Sequence, residues 1–64
     1  MPNRVKEFRE EAGLSQEELA NMSGVSRNTI SLIETAANPN VTYKIMYRLA
    51  NALKKKVGEV FFED

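Results

Sequence analysis

The sequence predicts an all-α fold, a compact bundle of five short helices. Three observations carry that expectation. Apolar residues recur at helical spacing, as in Met46, Leu49, Ala50 and Leu53. Hydroxyl residues able to cap a helix stand before the periodic stretches at Ser15, Ser26 and Thr42. Stop signals separate those stretches at Gly13, Gly24 and Pro39.

The first helix is expected from about Asn3 to Ala12, with Val5 and Phe8 inward and Gly13 closing it. Ser15 opens the second, and Glu18 three positions on completes a capping box. Leu19 and Ala20 form its buried side, and the small Ala20 suits a close approach of two helix backbones. Gly24 stands where that helix must stop and reverse, because it tolerates a left-handed backbone. Ser26 caps the third helix, with Val25 and Ile30 placed as a hydrophobic staple. The loop Ala36-Ala37-Asn38-Pro39-Asn40 ends helical continuity. Thr42 caps the fourth helix, and Lys54, Lys55 and Lys56 end it, where cations suit the negative end of the dipole. A short fifth helix holds Val57, Val60 and Phe61.

The third helix has two different stripes. Ile30 and Ile33 fall on one side, and Arg27, Asn28, Ser31 and Leu32 on the other. The second stripe has the chemistry of a base reader. Arginine pairs with guanine, asparagine with adenine, and an apolar tip meets a thymine methyl. Small hydroxyl residues at a helix start bind phosphate, aided by free backbone N–H groups. Two helices joined at a glycine, the second with such a face, point to the major groove of double-stranded DNA.

Sixty-four residues make one domain, 1–64. A chain this short buries about 60% of its unfolded surface, so its stability is marginal. It has no cysteine and no histidine, which excludes disulfides, zinc held by those ligands and any Ser-His or Cys-His pair. No nucleophile, base and orienting group gather, so an enzyme is not expected. Neither a cofactor nor a small-molecule ligand is expected. No apolar run approaches the ~20 residues of a membrane span, which suggests a cytoplasmic protein without a membrane partner. Nine basic residues balance nine acidic ones, a poor footprint for a nucleic-acid binder. Placement matters more than the sum, and Arg4, Lys6, Arg27 and Lys44 are expected to share one surface.

This layout resembles the phage Cro/repressor helix-turn-helix family, also called the xenobiotic-response-element (XRE) family. The resemblance rests on RVKEFREEAGLSQEELA, SGVSRNTISLIE, RLANAL and VGEVFF, in that order. It implies a lambda-repressor-like bundle of five helices that binds operator DNA as a two-fold dimer, often as a repressor, in a bacterial or phage setting. It further implies that Arg27, Asn28 and Leu32 meet base edges, with Ser31 and Thr29 beside them. Ser15, Gln16, Ser26 and Lys44 correspond to phosphate-contacting positions. Arg9 and Glu34 match an internal salt bridge between the first and third helices.

Three departures from the family pattern stand out. The loop after Glu34 carries no cation, leaving Asn38 and Asn40 for phosphate contact. Leu32 is apolar where many relatives are polar. Lys54 replaces a glycine that often ends the fourth helix, so a differently built corner is expected there.

Other signals read more plainly. Tyr43 and Tyr47 lie four apart on one helix face and are expected to pack peripherally. Val57, Val60, Phe61 and Phe62 are more apolar residues than a free end needs. Val60 and Phe61 should close the core, leaving Val57 and Phe62 for a homodimer contact, with Met22 a further exposed apolar residue. The alternative to a DNA-binding regulator is a helix-turn-helix protein-interaction module, an antitoxin-like or anti-activator subunit. The neutral charge and the uncharged Ala36-Ala37 loop motivate it.

Overall fold

A computed structural model of the chain describes residues 3–37 and 39–62. These form five helices and no strand: α1 (Val5–Glu11), α2 (Gln16–Ser23), α3 (Arg27–Thr35), α4 (Tyr43–Ala52) and α5 (Val57–Phe61). No helix among them is long and apolar enough to cross a membrane.

The caps explain where the helices begin. Ser15 Oγ accepts the Glu18 N–H at 3.0 Å and the Glu18 carboxylate accepts the Ser15 N–H at 2.8 Å, closing the capping box. Ser26 Oγ accepts the Thr29 N–H at 3.1 Å, and Thr42 Oγ1 accepts that of Ile45 at 3.3 Å. Each satisfies an N–H that the helix cannot, and losing one costs about 1 kcal/mol. Gly24 ends α2 with φ 75°, a conformation that only glycine adopts without strain.

Helix α1 starts two residues later than expected, because Asn3 uses its side chain elsewhere. The Asn3 amide Oδ1 accepts the Val5 N–H at 3.0 Å, and Nδ2 donates to the Ile33 carbonyl at 3.0 Å. This buried asparagine ties the start of α1 to the far end of α3.

The core is built from every helix. Val5 and Phe8 come from α1, Leu19 from α2, Ile30 and Ile33 from α3, Leu49 and Ala50 from α4 and Val60 from α5, with Val25 and Leu53 from the turns. Full burial of an aliphatic side chain of this size contributes roughly 1.5–3 kcal/mol. On α4, Leu49, Ala50 and Leu53 are buried as expected, and the one expected inward residue that differs is Met46. Ile45 packs against the core, whereas Met46 is half-buried and takes no part in it. The governing row is Ile45, Leu49 and Leu53 at i, i+4 and i+8.

The corner at Lys54 is a further correction. It is the same left-handed turn a glycine would make, with Lys54 itself at φ 60°. The Lys54 and Lys55 N–H groups donate to the Asn51 and Ala50 carbonyls at 3.1 and 2.9 Å, so the α4 carbonyls are satisfied despite the side chain. Holding a non-glycine residue there costs about 1–2 kcal/mol.

Candidate nucleic-acid interface

Helix α3 is held by one face and leaves the other bare. Ile30 and Ile33 are buried, while Arg27 and Asn28 are exposed and Leu32 is 56% exposed. Ser31 and Thr29 are half-buried between the two faces. Arg27 and Asn28 have no hydrogen-bond or ion-pair partner among the described residues. The structure thus brings together Arg27, Asn28, Ser31 and Leu32 on or beside one outward stripe, with Leu32 one turn beyond Asn28.

What fixes α3 is a charged junction behind it. Arg9 Nε and Nη2 donate to the two Glu34 carboxylate oxygens at 2.7 and 3.1 Å, a bidentate pair. Arg9 Nη1 donates to the Leu14 carbonyl at 2.7 Å. Gln16 Nε2 donates to Glu34 Oε1 at 3.0 Å. One carboxylate therefore holds α1, α2 and α3 together. The side chains of Arg9 and Glu34 are 11% and 2% exposed. Donating these hydrogen bonds to Glu34 raises the Arg9 pKa against the opposing effect of burial. The bond ties Gln16 to α3. It leaves Gln16 its carbonyl oxygen and one N–H for a further partner.

The hydroxyl groups around the start of α3 are already ordered. Ser26 Oγ accepts from the Thr29 backbone and donates to Thr29 Oγ1 at 2.8 Å, which leaves the Thr29 hydroxyl hydrogen to donate elsewhere. Ser15, Ser26, Asn40 and Lys44 are exposed. Lys44 meets no partner among the described residues. Asn38 lies outside the described residues.

Two further cations have defined neighbours. Arg4 binds Glu7 through Nε and Nη2 at 3.0 and 2.8 Å and lies 4.4 Å over the Phe8 ring, which Lys55 also approaches at 4.8 Å. Arg4 is thus engaged by Glu7 and by the Phe8 ring. Arg48 was not singled out, yet its Nη1 lies 3.7 Å from where a Cβ on Gly24 would sit. Its position one turn after Lys44 on α4 was the available signal.

A second surface forms at α4 and α5. Tyr43 and Tyr47 are 67% and 54% exposed, so they do not pack peripherally as expected. With Ala50, Lys55 and Val57 they line an open groove of about 270 Å³. Val57 is half-buried against the core, and Phe62 is 67% exposed. Met22 is also exposed.

A capped helix, a left-handed glycine turn and a second capped helix with a bare polar stripe define a helix-turn-helix domain. Residues 5–60 match the helix-turn-helix family model, and the chain belongs to that family. An uncharacterized HTH-type transcriptional regulator of Archaeoglobus fulgidus is 38% identical over 65 residues, covering 100% of this chain and 89% of the relative. Another from Methanothermobacter thermautotrophicus is 36% identical over 66 residues, covering 100% of this chain and 93% of the relative. Among solved structures, the N-terminal DNA-binding domain of the master biofilm regulator SinR from Bacillus subtilis superposes with a TM-score of 0.83. It is 30% identical, over 95% of this chain and 88% of that one. The fold is that of a DNA-binding domain, and the family is one of transcriptional regulators, not enzymes.

Proposed function

We propose that this chain is a sequence-specific repressor that acts as a homodimer on a palindromic operator in double-stranded DNA. The observation that carries the reading is the bare stripe of α3, where Arg27 and Asn28 stand exposed and unengaged on a helix buried along its other side. Arg27 pairs with a guanine and Asn28 with an adenine, with Ser31 and Leu32 against the neighbouring edges. Ser15, Gln16, Ser26, Thr29, Asn38, Asn40 and Lys44 contact phosphate and set the register. The sign of regulation rests on the resemblance to the Cro/repressor family.

The dimer reading is supported by Tyr43, Tyr47 and Phe62, three large exposed apolar side chains, and by Val57 at the groove beside the tyrosines. A two-fold axis there lets one patch meet itself. The domain measures 25 × 21 × 20 Å, so two copies side by side can present their α3 helices about one DNA turn apart, roughly 34 Å.

Random-site selection combined with a salt titration tests both parts. The expected result is a palindrome with half-sites one turn apart and an affinity that falls steeply with salt. A Tyr43→Glu/Tyr47→Glu variant should sediment as a monomer and lose most of its affinity for the full palindrome. Absence of any enriched sequence at low salt, with a tight protein partner instead, would establish the interaction-module reading.

A further inference from the structure

We infer that the groove between α4 and α5 docks an acidic protein segment, which sets apolar side chains against its tyrosines and carboxylates against its lysines. This goes beyond the operator reading and uses none of the base-facing residues of α3. A net charge of zero hides an uneven division. From Thr35 to Gly58 the chain carries Lys44, Arg48, Lys54, Lys55 and Lys56 and no aspartate or glutamate. The groove of about 270 Å³ lies within that stretch, and no carboxylate lines it. Tyr43 and Tyr47 stand exposed along it, with Ala50 and Val57 adding hydrocarbon. Lys55 and Lys56, which follow the last turn of α4, supply its charge. Lys55 Nζ lies over the Phe8 ring, and neither ammonium meets a carboxylate among the described residues.

The occupant follows from shape and charge. An open groove leaves much of a small molecule in water, whereas a chain segment can lie along it. From Tyr43 to Asn51 the helix runs about 12 Å, the length of roughly two turns of a docked helix. The lysines sit at one end of that run. A single-stranded nucleic acid puts a phosphate on every nucleotide, and those beside the tyrosines find no cation within the groove. A second copy of the chain brings the same two lysines, which a two-fold contact cannot neutralise with each other. An acidic segment answers both halves of the surface, and tyrosine is a residue type on which such contacts concentrate.

The test uses two synthetic helical peptides of about 15 residues, roughly four turns. Both carry the same leucines and phenylalanines along one face; one has glutamate at its polar positions and the other glutamine. Amide chemical shifts of the full chain are followed as each peptide is added. The glutamate peptide should move the signals of Tyr43, Tyr47, Asn51 and Lys56 and leave those of Arg27 and Asn28 in place. It should bind at least about fivefold more tightly than the glutamine peptide, with the advantage fading in salt. Tyr47→Ala should weaken it about tenfold. Lys55→Gln/Lys56→Gln should weaken it about fivefold, and Lys56→Gln, which keeps the Phe8 contact, about twofold. Equal binding of the two peptides overturns the inference, as does an absence of binding or shifts confined to another face. Undiminished binding by the double lysine variant also overturns it. Tighter binding of a single-stranded oligonucleotide in the same groove replaces the protein segment with a nucleic acid. The operator reading stands or falls separately, by the selection experiment.

Discussion

On the inner face of α3, Ile30 and Ile33 are sealed in the core and Glu34 has every carboxylate oxygen engaged by Arg9 or Gln16. On the outer face, Arg27 and Asn28 stand in solvent with no partner among the described residues. Both faces hold charged or amide groups, so polarity does not separate them. Satisfaction does. A polar group inside must be paired because its desolvation is costly, whereas one outside keeps its donors available. A second ion pair acts as the control. Arg4–Glu7 closes to 2.8 Å, close to the 2.7 Å of Arg9–Glu34, but its side chains are 31% and 45% exposed against 11% and 2%. Similar distances therefore carry unequal weight.

The comparison can be broken most decisively at the inner face. Glu34→Ala leaves the Arg9 guanidinium buried with only the Leu14 carbonyl, and should cost about 3–5 kcal/mol in chemical denaturation. A loss no larger than that of a surface pair would remove the distinction. Arg27→Ala comes next and should divide the two faces cleanly. Duplex affinity should fall by about 1–3 kcal/mol with relaxed base preference, while the unfolding midpoint stays put. Lys54→Gly touches neither face. It relieves the left-handed strain and should stabilise the fold by about 1 kcal/mol without altering DNA binding.

The smallest effect belongs to the outer ion pair. The Arg4 hydrogen bond holds the Glu7 carboxyl below its usual pKa. A depressed folded-state pKa means that any stabilisation is present above the ordinary carboxylate range and fades as pH falls through the folded value. Glu7→Gln should therefore match the wild type in acid and differ from it barely, if measurably, at neutral pH, because exposed pairs contribute little.

The frame was legible wherever a local signal dictated it. Ser15, Ser26 and Thr42 announced their caps, Gly24 its turn, and Ile30 and Ile33 the buried face of α3. The Arg9–Glu34 pair came from family resemblance, since nothing local links residues so far apart. The misreadings share a cause, which is that tertiary neighbours chose among options the sequence left open. Met46 and Ile45 are both apolar, and only the position of Leu49 over the core decided between them. Tyr43 and Tyr47 have the spacing of a packed pair, yet both stay more than half exposed. Asn3 reads as a helix starter until the Ile33 carbonyl gives it a distant partner. Lys54 stands where the family often has glycine, and the corner keeps the positive φ of that glycine although a lysine gives no local reason for it. Around the candidate site the residue types were visible in advance, while the groove between Tyr47, Lys55 and Val57 existed only after folding.

The clasp at Glu34 also bears on how recognition proceeds. Because a single side chain locks three rods into one body, the orientation of α3 is inherited from folding. Little conformational freedom remains to be surrendered on docking. Encounter with a target should then look like rigid lock seating, its speed governed by diffusion and charge steering instead of by a slow closing motion.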